Sequence, residues 1–443
     1  MRTPVADFLE KYGSSDTVRF HMPGHKGKSF VGCEKIDITE ISGADDLYKP
    51  VGIIAESERN AAELFGTART CYSTEGSSQC IRAMTYLAVT QRKSDCLPLI
   101  VAARNAHKSF IYAAALVGFE IEWLYPDKTS SLCRCDISPE ELERKLRALP
   151  APPAAVYITG VDYLGSQADV SALAEICHRN GTILAVDNAH GAYLHFLQKP
   201  AHPIDCGADI CCDSAHKTFP VLTGGAYLHI GKSAPKEFSD NAKSAMALFG
   251  STSPSYAVTA SLDLCNGYLS DGYKRRLSEH IGVVGETKKR LRDCGWATEK
   301  SDPLRITLRA PEGTTGDGLA DKLRRDKIEC EYSDRQYLVL MTTPENNADD
   351  FKRLENCLGK NTDLYAQEHM LAMPKCEKIM TVRDAFLLPK ETVSVDKALG
   401  RICASPTVSC PPAIPIAVSG ERIDENAVSL FGYYGIDKIE VIK

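Results

Sequence analysis

Lys217 stands in a dense polar stretch, S-A-H-K-T (214–218), directly after a short apolar run. A lysine in a cleft can lose its proton through desolvation and attack a carbonyl carbon, forming a Schiff base. The ordinary alternative is a surface lysine whose charge is solvated. Ser214 and His216 flank Lys217 with hydrogen-bond donors suited to a phosphate, and this favours the reactive lysine.

Two further titratable residues also follow apolar runs. Asp187 comes after T-I-L-A-V (182–186), which is too apolar for a surface edge, so its carboxylate needs a partner. It could hold a heterocyclic nitrogen protonated, or it could cap a helix starting at N-A-H-G-A-Y-L. His107, in R-N-A-H-K-S (104–109), could lie flat on an aromatic cofactor ring, although a buried structural histidine is the commoner explanation.

The stretch S-T-E-G-S-S (73–78) supplies a candidate phosphate cradle. Gly76, Ser77 and Ser78 lead into a helical pattern with Ile81, Met84, Leu87 and Ala88 on one face. The first turn of a helix presents free N–H groups to an anion. A simple serine N-cap would explain the same residues, so the cradle is a weak signal when it is taken alone.

Together these features form a constellation in chain order: a phosphate cradle, a ring-stacking histidine, an acid for a ring nitrogen, and a lysine. Pyridoxal phosphate (PLP) needs these four functions. Its aldehyde takes the lysine, and its protonated pyridine ring drains electrons from the substrate Cα. The pattern therefore predicts PLP as the cofactor.

The bulk composition narrows the class of protein. The chain has 443 residues and a net charge of -6 without a basic run, which argues against a nucleic-acid partner. Its 17 cysteines lack the repeated CxxC spacing of a structural zinc site, so we expect apolar fillers in a reducing compartment and no metal. No signal peptide or membrane-spanning run is visible, and we expect a cytoplasmic protein.

Short apolar runs alternate with amphipathic helical patterns in the middle of the chain. The runs predicted as strands are 97–104, 154–160, 182–186, 209–213 and 226–230. Helices are predicted at 138–149, opened by a Ser138–Glu141 capping box, and at 169–181. Strands that are apolar throughout and separated by helices indicate a mainly parallel sheet covered on both faces. Ligands bind beyond the carboxyl ends of such strands, which is where the titratable residues above fall.

We expect four regions along the chain: an N-terminal arm (1–44), a large PLP-binding α/β domain (45–290), a small α+β domain (291–365) and a C-terminal domain (366–443). In the small domain, strands are predicted at 304–310 and 337–343, and helices near 317–326 and 348–358.

The motifs of the chain resemble those of the Orn/Lys/Arg decarboxylase family, which is one of the fold-type-I, aspartate-aminotransferase-like PLP enzymes. The similar stretches, in the family's order, are H-M-P-G-H-K-G (21–27), D-D-L-Y-K-P-V-G (45–52), R-N-A-H-K-S, D-N-A-H-G-A-Y (187–193), S-A-H-K-T and S-T-S-P-S-Y (251–256). The tail at 393–416 is similar to the family's C-terminal domain. The resemblance implies an α/β, three-layer PLP-transferase fold with a mainly parallel central sheet, a smaller α+β domain and a C-terminal extension. Because the chain begins almost at the first motif, it resembles the short form without the N-terminal wing domain.

The resemblance also implies a role for each matching residue. Lys217 would carry the cofactor as a Schiff base, Asp187 would pair with the pyridine nitrogen, and His107 would stack on the ring. Ala189 would pack on the other face of the ring, with His190 close by. The residues that would bind the phosphate are Gly76, Ser77, Ser78, Ser214 and His216, with Ser251 and Thr252 reaching the phosphate of the partner subunit in a homodimer.

Four stretches depart from the family's pattern. Asn188 stands where the family often has glutamate, in D-E-A-H-G-A. V-D-Y-L-G (161–165) replaces P-T-Y-x-G, and Gly224-Gly225 stand where a glutamine-containing stretch is common. In the tail, Cys410 and Ala413 replace the tyrosine and glycine of Y-P-P-G-I-P. These departures leave the cofactor residues in place and leave the substrate open.

The activity that the resemblance implies is decarboxylation of lysine, ornithine or arginine to an amine and CO2, a polyamine-forming reaction. Spacing alone does not choose between decarboxylation and transamination, so an aminotransferase or lyase reaction stays an alternative, and a non-catalytic relative is another. The resemblance further implies a homodimer with shared active sites, or a higher oligomer built from it. Acids that could bind the cationic side chain of the substrate are Glu40, Asp45, Asp46, Glu331 and Glu421.

Overall fold

A computed structural model describes residues 1–91, 97–126, 129–365, 367–406 and 413–443. Cys410, one of the departures noted above, lies outside these ranges. No helix within them combines the length and the apolar character that a bilayer crossing needs.

The strands and helices are numbered in chain order. The strands are β1 (Arg69–Ser73), β2 (Leu99–Ala103), β3 (Glu120–Leu124), β4 (Ala155–Thr159), β5 (Ile183–Asp187), β6 (Ile210–Asp213), β7 (Ala226–Ile230), β8 (Arg305–Arg309), β9 (Tyr332–Ser333), β10 (Tyr337–Met341), β11 (Glu377–Lys378), β12 (Lys390–Ser394), β13 (Glu421–Arg422) and β14 (Lys438–Ile442). The α-helices are α1 (Pro4–Gly13), α2 (Ile53–Leu64), α3 (Ser77–Thr90), α4 (Lys108–Ala113), α5 (Pro139–Ala148), α6 (Val170–Arg179), α7 (Ala215–Thr218), α8 (Lys236–Leu248), α9 (Tyr256–Ser270), α10 (Tyr273–Asp293), α11 (Gly316–Arg325), α12 (Ala348–Leu358), α13 (Val382–Leu387) and α14 (Glu425–Tyr433).

The alternation of strands and helices predicted from the sequence is confirmed. The five apolar runs form β2, β4, β5, β6 and β7, and the helical patterns form α5, α6, α11 and α12. Every residue of β6 and β7 is buried. Their unbroken apolar patterns arise because both faces of these strands are covered.

The protein has a mixed α/β fold with a large, mainly parallel sheet of seven strands, as predicted. The chain forms two compact units. Unit 1 comprises Met1–Lys93, Ala154–Val156 and Val170–Arg276, and unit 2 comprises Ser94–Pro153, Tyr157–Asp169 and Leu277–Lys443.

Unit 1 contains four of the sheet strands in the order β1-β7-β6-β5. β5 and β6 run parallel, whereas β7 is antiparallel to both β6 and β1. Helix α3 lies against β5, β6 and β7 and packs on α8. Its predicted apolar face is buried, with Met84 and Leu87 fully covered. The carboxyl ends of β5 and β6 therefore open at the same edge, next to the first turn of α3.

Unit 2 contains the parallel pair β2–β3 and two smaller packed bodies. An antiparallel sheet, β8-β10-β9, packs with α11 and α12 around a core that includes Ile306, Leu323 and Leu338. Toward the C-terminus, β12 pairs with β14 beside a second core that includes Phe431 and Val441.

The capping box predicted for α5 is half formed. Ser138 accepts the N–H of Glu141 at 3.1 Å, as expected of an N-cap. The Glu141 carboxylate turns instead to the guanidinium of Arg144, at 2.7 Å, because an exposed acid gains an ion pair one turn further along the helix. A complete capping box opens α12, where Asn347 and Asp350 exchange both hydrogen bonds.

Candidate active site

Lys217 and His190 meet at the carboxyl edge of β5 and β6. Lys217 lies in α7, directly after β6, and its Nζ is 2.8 Å from Nε2 of His190, in the turn after β5. The two strands are parallel neighbours with Asp187 opposite Cys212, so their ends deliver the two side chains to one place. His190 is buried and Lys217 is half-buried. An imidazole therefore lies within proton-transfer distance of the lysine nitrogen.

Asp187 ends β5 and is buried. Its Oδ1 accepts the N–H of Ala189 at 3.1 Å and lies 3.7 Å from Sγ of Cys212. The helical segment that follows is a 3-10 helix, Ala192–Phe196, whose N-cap is Gly191. The helix-capping explanation of Asp187 is therefore wrong. Its carboxylate instead holds the turn that presents Ala189 and His190.

The predicted phosphate cradle is present as the start of α3. Gly76 is the N-cap residue and has a left-handed φ of 73°, which glycine adopts without strain. Its N–H donates to the carbonyl of Gly224 at 2.7 Å. A Cβ built on Gly76 would meet nothing nearer than N of Ser78, at 4.0 Å, so there is open space beside the first-turn N–H groups. Positive helix-end dipole and free N–H groups suit an anion in that space.

Ser214 and Ser77 join the two halves of this cradle. The Oγ of Ser214 donates to Oγ of Ser77 at 2.9 Å, although 137 positions separate the residues in sequence. His216 lies alongside, with Nδ1 at 3.1 Å from the carbonyl oxygen of Gly225. A carbonyl only accepts, so Nδ1 carries a proton, and a second donor at Nε2 would require the imidazolium form.

Gly224 and Gly225, which depart from the family's pattern, have a packing reason in this chain. Gly224 has a φ of 100°, and a Cβ there would lie 2.8 Å from the carbonyl oxygen of Thr74. A Cβ on Gly225 would lie 2.3 Å from Cγ1 of Val221. The two glycines therefore allow the loop after α7 to approach the loop that carries the cradle.

Ser251 and Thr252 lie on an exposed loop near the cradle. The N–H of Ser251 donates to the carboxylate of Glu75, the residue before Gly76. The hydroxyl of Ser251 accepts the N–H of Ser253 at 3.1 Å. The structure thus brings this loop next to the cradle of its own chain, and the predicted contact with a partner subunit stays a prediction.

His107 belongs to unit 2 and forms the N-cap of α4. Its Nδ1 accepts the N–H of Ser109 at 3.2 Å, so the ring proton of the neutral imidazole is on Nε2. The loop that carries His107 is tied to the C-terminal segment. The N–H of Lys108 donates to the carbonyl of Ala413 at 2.8 Å, and the buried Arg104 donates to the carbonyls of Pro415 and Ile416, both at 2.7 Å. The stacking role of His107 stays a prediction.

Ala413 and Asp162 show what two of the sequence departures do locally. Ala413 has a left-handed φ of 57°, which explains why a glycine suits this position in the family's pattern. Asp162, in V-D-Y-L-G, is buried and accepts the N–H of Ser166 at 2.9 Å. Burial raises the pKa of Asp162 to about 6, against the effect of its backbone hydrogen bonds.

Three of the acids proposed for substrate binding have structural partners. Asp45 accepts N–H groups at the start of α2, including those of Gly52 at 2.8 Å and Ile54 at 3.0 Å. Asp46 accepts the N–H of Tyr48 at 2.7 Å. In unit 2, the buried Glu421 accepts the N–H of Val418 at 2.8 Å and lies 4.0 Å from Arg104. These carboxylates hold loops in place.

Sequence reasoning missed a set of buried polar residues behind the site. The amide of Asn188 bonds to Asp213, whose carboxylate also contacts His202 and His229. The available signal was Asp213 itself, because an acid that ends an otherwise apolar strand needs buried partners. The identity of those partners depends on the tertiary structure.

Solved structures of related proteins define the class of fold. A lysine decarboxylase from Francisella novicida has a TM-score of 0.80 to this chain at 18% identity, and the match covers 100% of this chain and 81% of that one. Serine palmitoyltransferase from S. paucimobilis, solved with bound PLP, has a TM-score of 0.52 at 15% identity, covering 68% of this chain and 74% of that one. The fold is thus shared with α/β enzymes of the decarboxylase and PLP-transferase type.

The chain belongs to the Orn/Lys/Arg decarboxylase family. The family's major domain matches residues 3–310, and its C-terminal domain matches residues 365–437. Arginine decarboxylase from Bacillus subtilis is 30% identical over 464 residues, covering 96% of this chain and 92% of the relative. The protein is therefore a decarboxylase-family enzyme, as the sequence motifs predicted.

Proposed function

We propose that the protein decarboxylates a basic amino acid (lysine, ornithine or arginine) with PLP as its cofactor. The observation that carries this proposal is the meeting of Lys217 and His190, 2.8 Å apart, at the sheet edge next to the α3 cradle. Membership of the Orn/Lys/Arg decarboxylase family supports the same reaction.

The residues at this edge fit PLP. The open space beside Gly76 and the joined hydroxyls of Ser77 and Ser214 suit its phosphate. Lys217 is placed for its aldehyde, and the buried Asp187 for its pyridine nitrogen. The other assignments carried from the resemblance are phosphate contacts by Ser78 and His216, and ring contacts by His107 and Ala189. When bound, PLP supplies an electron sink for the bond broken at the substrate Cα.

The chain's own residues hold and move protons around that chemistry. Decarboxylation breaks the bond between Cα and the carboxylate, releases CO2 and places a proton on Cα of the amine. Lys217 Nζ and His190 Nε2 are the two nitrogens at the site that can carry this proton. The buried Asp187 carboxylate favours a positive charge on the heterocycle it faces, because opposite charges attract strongly where water is excluded.

The proposal extends to organisation and location. The expected regions are an arm (1–44), a PLP-binding domain (45–290), a small domain (291–365) and a C-terminal domain (366–443). The enzyme would be a cytoplasmic homodimer involved in polyamine formation, with Ser251 and Thr252 reaching the partner's phosphate site.

The test is to incubate the purified protein with PLP and, separately, with lysine, ornithine and arginine, and to measure CO2 and amine. We expect one substrate to give equal amounts of both, and a visible absorbance of the protein-bound cofactor that is lost in Lys217→Ala. The exposed Lys199 gives the matched control, and Lys199→Ala should behave as the wild type.

Two outcomes would contradict the proposal. A keto acid or ammonia formed without CO2 would indicate an aminotransferase or another lyase on the same scaffold. A wild-type protein that gains no visible absorbance with PLP would indicate a non-catalytic relative.

A further inference from the structure

A closed polar network lies behind the lysine site in unit 1. The side chains of Asn188 and Asp213 are fully buried, and Nδ2 of Asn188 donates to Oδ1 of Asp213 at 2.7 Å. The other carboxylate oxygen lies 3.0 Å from Nε2 of His202 and 3.2 Å from Nε2 of His229. Three donors therefore surround one buried carboxylate, which is how a buried charge is made tolerable.

The two histidine rings act as donors to this carboxylate. Nδ1 of His202 accepts the N–H of Ile204 at 3.4 Å, and Nδ1 of His229 lies 2.9 Å from the hydroxyl of Thr70. Each neutral ring therefore carries its proton on Nε2, the atom that faces Asp213. Burial lowers the pKa of His229, which favours the neutral ring. Burial alone would raise the pKa of Asp213, but the contacts with His202 and His229 hold it below its ordinary value.

The same protons explain why the cluster is a hydrogen-bond network. Ligand atoms of His202, Cys211 and Asp213 lie within 4.8 Å of one another, which is close enough for a metal ion. A metal ligand needs a free lone pair on the coordinating nitrogen. In His202 that nitrogen is Nε2, and its proton is engaged with Asp213.

Asn188 has one available position in this network. Its N–H donates to the carbonyl of Cys212 at 2.9 Å, and its carbonyl accepts the N–H of Gly191 at 2.8 Å. A Cβ on residue 191 would lie 2.2 Å from Oδ1 of Asn188, so the absence of a side chain at Gly191 makes room for the amide. On the far side, the ring of Phe65 packs against that of His229, with centroids 4.6 Å apart.

We propose that Asn188 and Asp213 are positioning residues, whose hydrogen bond joins the turn after β5 to the chain after β6 and thereby sets the Lys217–His190 contact. The bond lies between the two segments that matter: Asp187 and His190 flank Asn188, and Ser214 and Lys217 follow Asp213. The inference rests on the proposed function, in which those flanking residues hold the cofactor.

The amide at position 188 matches the acid at position 213. A carboxylate at 188 would face the carboxylate of Asp213 across 2.7 Å, and two like charges at that distance are strongly unfavourable in a buried site. An amide at both positions would leave a donor facing a histidine N–H or the other amide nitrogen. One acid and one amide therefore form a complementary pair, and exchanging them should preserve the hydrogen bonds.

The test uses this exchange. We would compare Asn188→Asp, Asp213→Asn and the double variant that carries both changes, measuring PLP affinity and the visible absorbance of the bound cofactor by titration without substrate. Each single variant should bind PLP about tenfold more weakly or worse, because small misplacements of reacting groups have large effects. The double variant should recover to within about threefold of the wild type, which is the non-additivity expected of a direct contact.

Asp209 offers a matched control at the opposite end of the same two strands. It is buried, accepts the N–H of Leu184 at 2.8 Å and lies 3.0 Å from Nε2 of His178. Asp209→Asn should lower the thermal stability but leave PLP affinity and absorbance unchanged. Asn188→Ala, which removes the bond without adding a charge, replaces Asn188→Asp if that variant does not fold, and should show the same weakened PLP binding.

The outcomes separate this inference from the proposed function. Folded single variants that bind PLP as the wild type does, or a double variant no better than the sum of the singles, would overturn the positioning role. The predicted pattern of PLP affinities in a protein that releases no CO2 from any basic amino acid would overturn the proposed function alone.

Discussion

At the scale of single residues, the lysine nitrogen and its imidazole neighbour are the centre of the site. Lys217 Nζ lies 2.8 Å from His190 Nε2, and Asp187 holds the turn between β5 and His190 through the N–H of Ala189. The imidazole is thus aimed by a carboxylate that is itself buried. A change at Asp187 should therefore affect chemistry more than folding, because the turn can keep its hydrogen bond when an amide replaces the acid.

We predict that Asp187→Asn keeps PLP but loses turnover by about 10²–10³-fold, the range for removing one preorganised electrostatic group. The amide oxygen can still accept the Ala189 N–H, but it no longer supplies the negative charge that favours a protonated pyridine nitrogen. The measurements are kcat on the preferred substrate and the absorbance of bound PLP. Asp205→Asn, which changes an acid paired with His195 on the same unit, serves as the control, and near-normal turnover in Asp187→Asn would refute its assigned role.

At the scale of elements, loops rather than helices and strands bring the functional groups together. The turn after β5, the short helix α7 and the first turn of α3 meet because β5 and β6 are parallel neighbours and α3 packs on both. Glycines at 76 and 224 give these loops the left-handed backbone and the close approach they need. The cradle is therefore a property of backbone shape as much as of its serine side chains.

We predict that Gly76→Ala weakens PLP binding by about tenfold or more, because a methyl group would enter the space beside the first-turn N–H groups. The left-handed φ should also cost about 1–2 kcal/mol in the free energy of unfolding. Gly66→Ala is the matched control, since Gly66 has a φ of 64°, open space around it and a place at the end of α2. Both variants should lose stability, and only Gly76→Ala should lose PLP affinity; equal PLP affinity in the two would contradict the cradle.

At the scale of the whole molecule, the N-terminal segment of unit 1 exposes large apolar side chains. Phe20, Phe30, Val31 and Val51 are each more than four-fifths exposed, at 95%, 81%, 88% and 92%. Contiguous exposed apolar surface marks an interaction site more often than a solvent-facing one. This agrees with the proposed homodimer, in which Ser251 and Thr252 of one subunit complete the phosphate site of the other.

We predict that two inactive variants restore activity when they are mixed. Lys217→Ala removes the reactive nitrogen, and a double change of Ser251 and Thr252 to alanine removes hydroxyls meant for the partner's site. If the sites are shared, a mixed dimer contains one site with every wild-type group, and up to about a quarter of the activity should return after refolding or subunit exchange. A mixture that stays inactive while mass measurements show mixed dimers would contradict a shared site.

The strands, the helices and most of the site residues could be predicted from the sequence because their signals are local. β6 and β7 are apolar at nearly every position because they are covered on both faces, and α12 begins at its capping asparagine. The motifs around Lys217, Asp187 and Gly76 added the cofactor and the family. These conclusions needed only residue type, spacing and neighbours in the chain.

The network behind the site was decided by the tertiary structure. His202 and His229 lie 11 and 16 positions from Asp213 and have no spacing that marks them as partners. The Lys217–His190 contact spans 27 positions, and it exists because two parallel strands end side by side. A sequence names the groups that can ionise or donate, whereas their partners follow from which strand ends share an edge. That pairing is set by burial of the sheet as a whole.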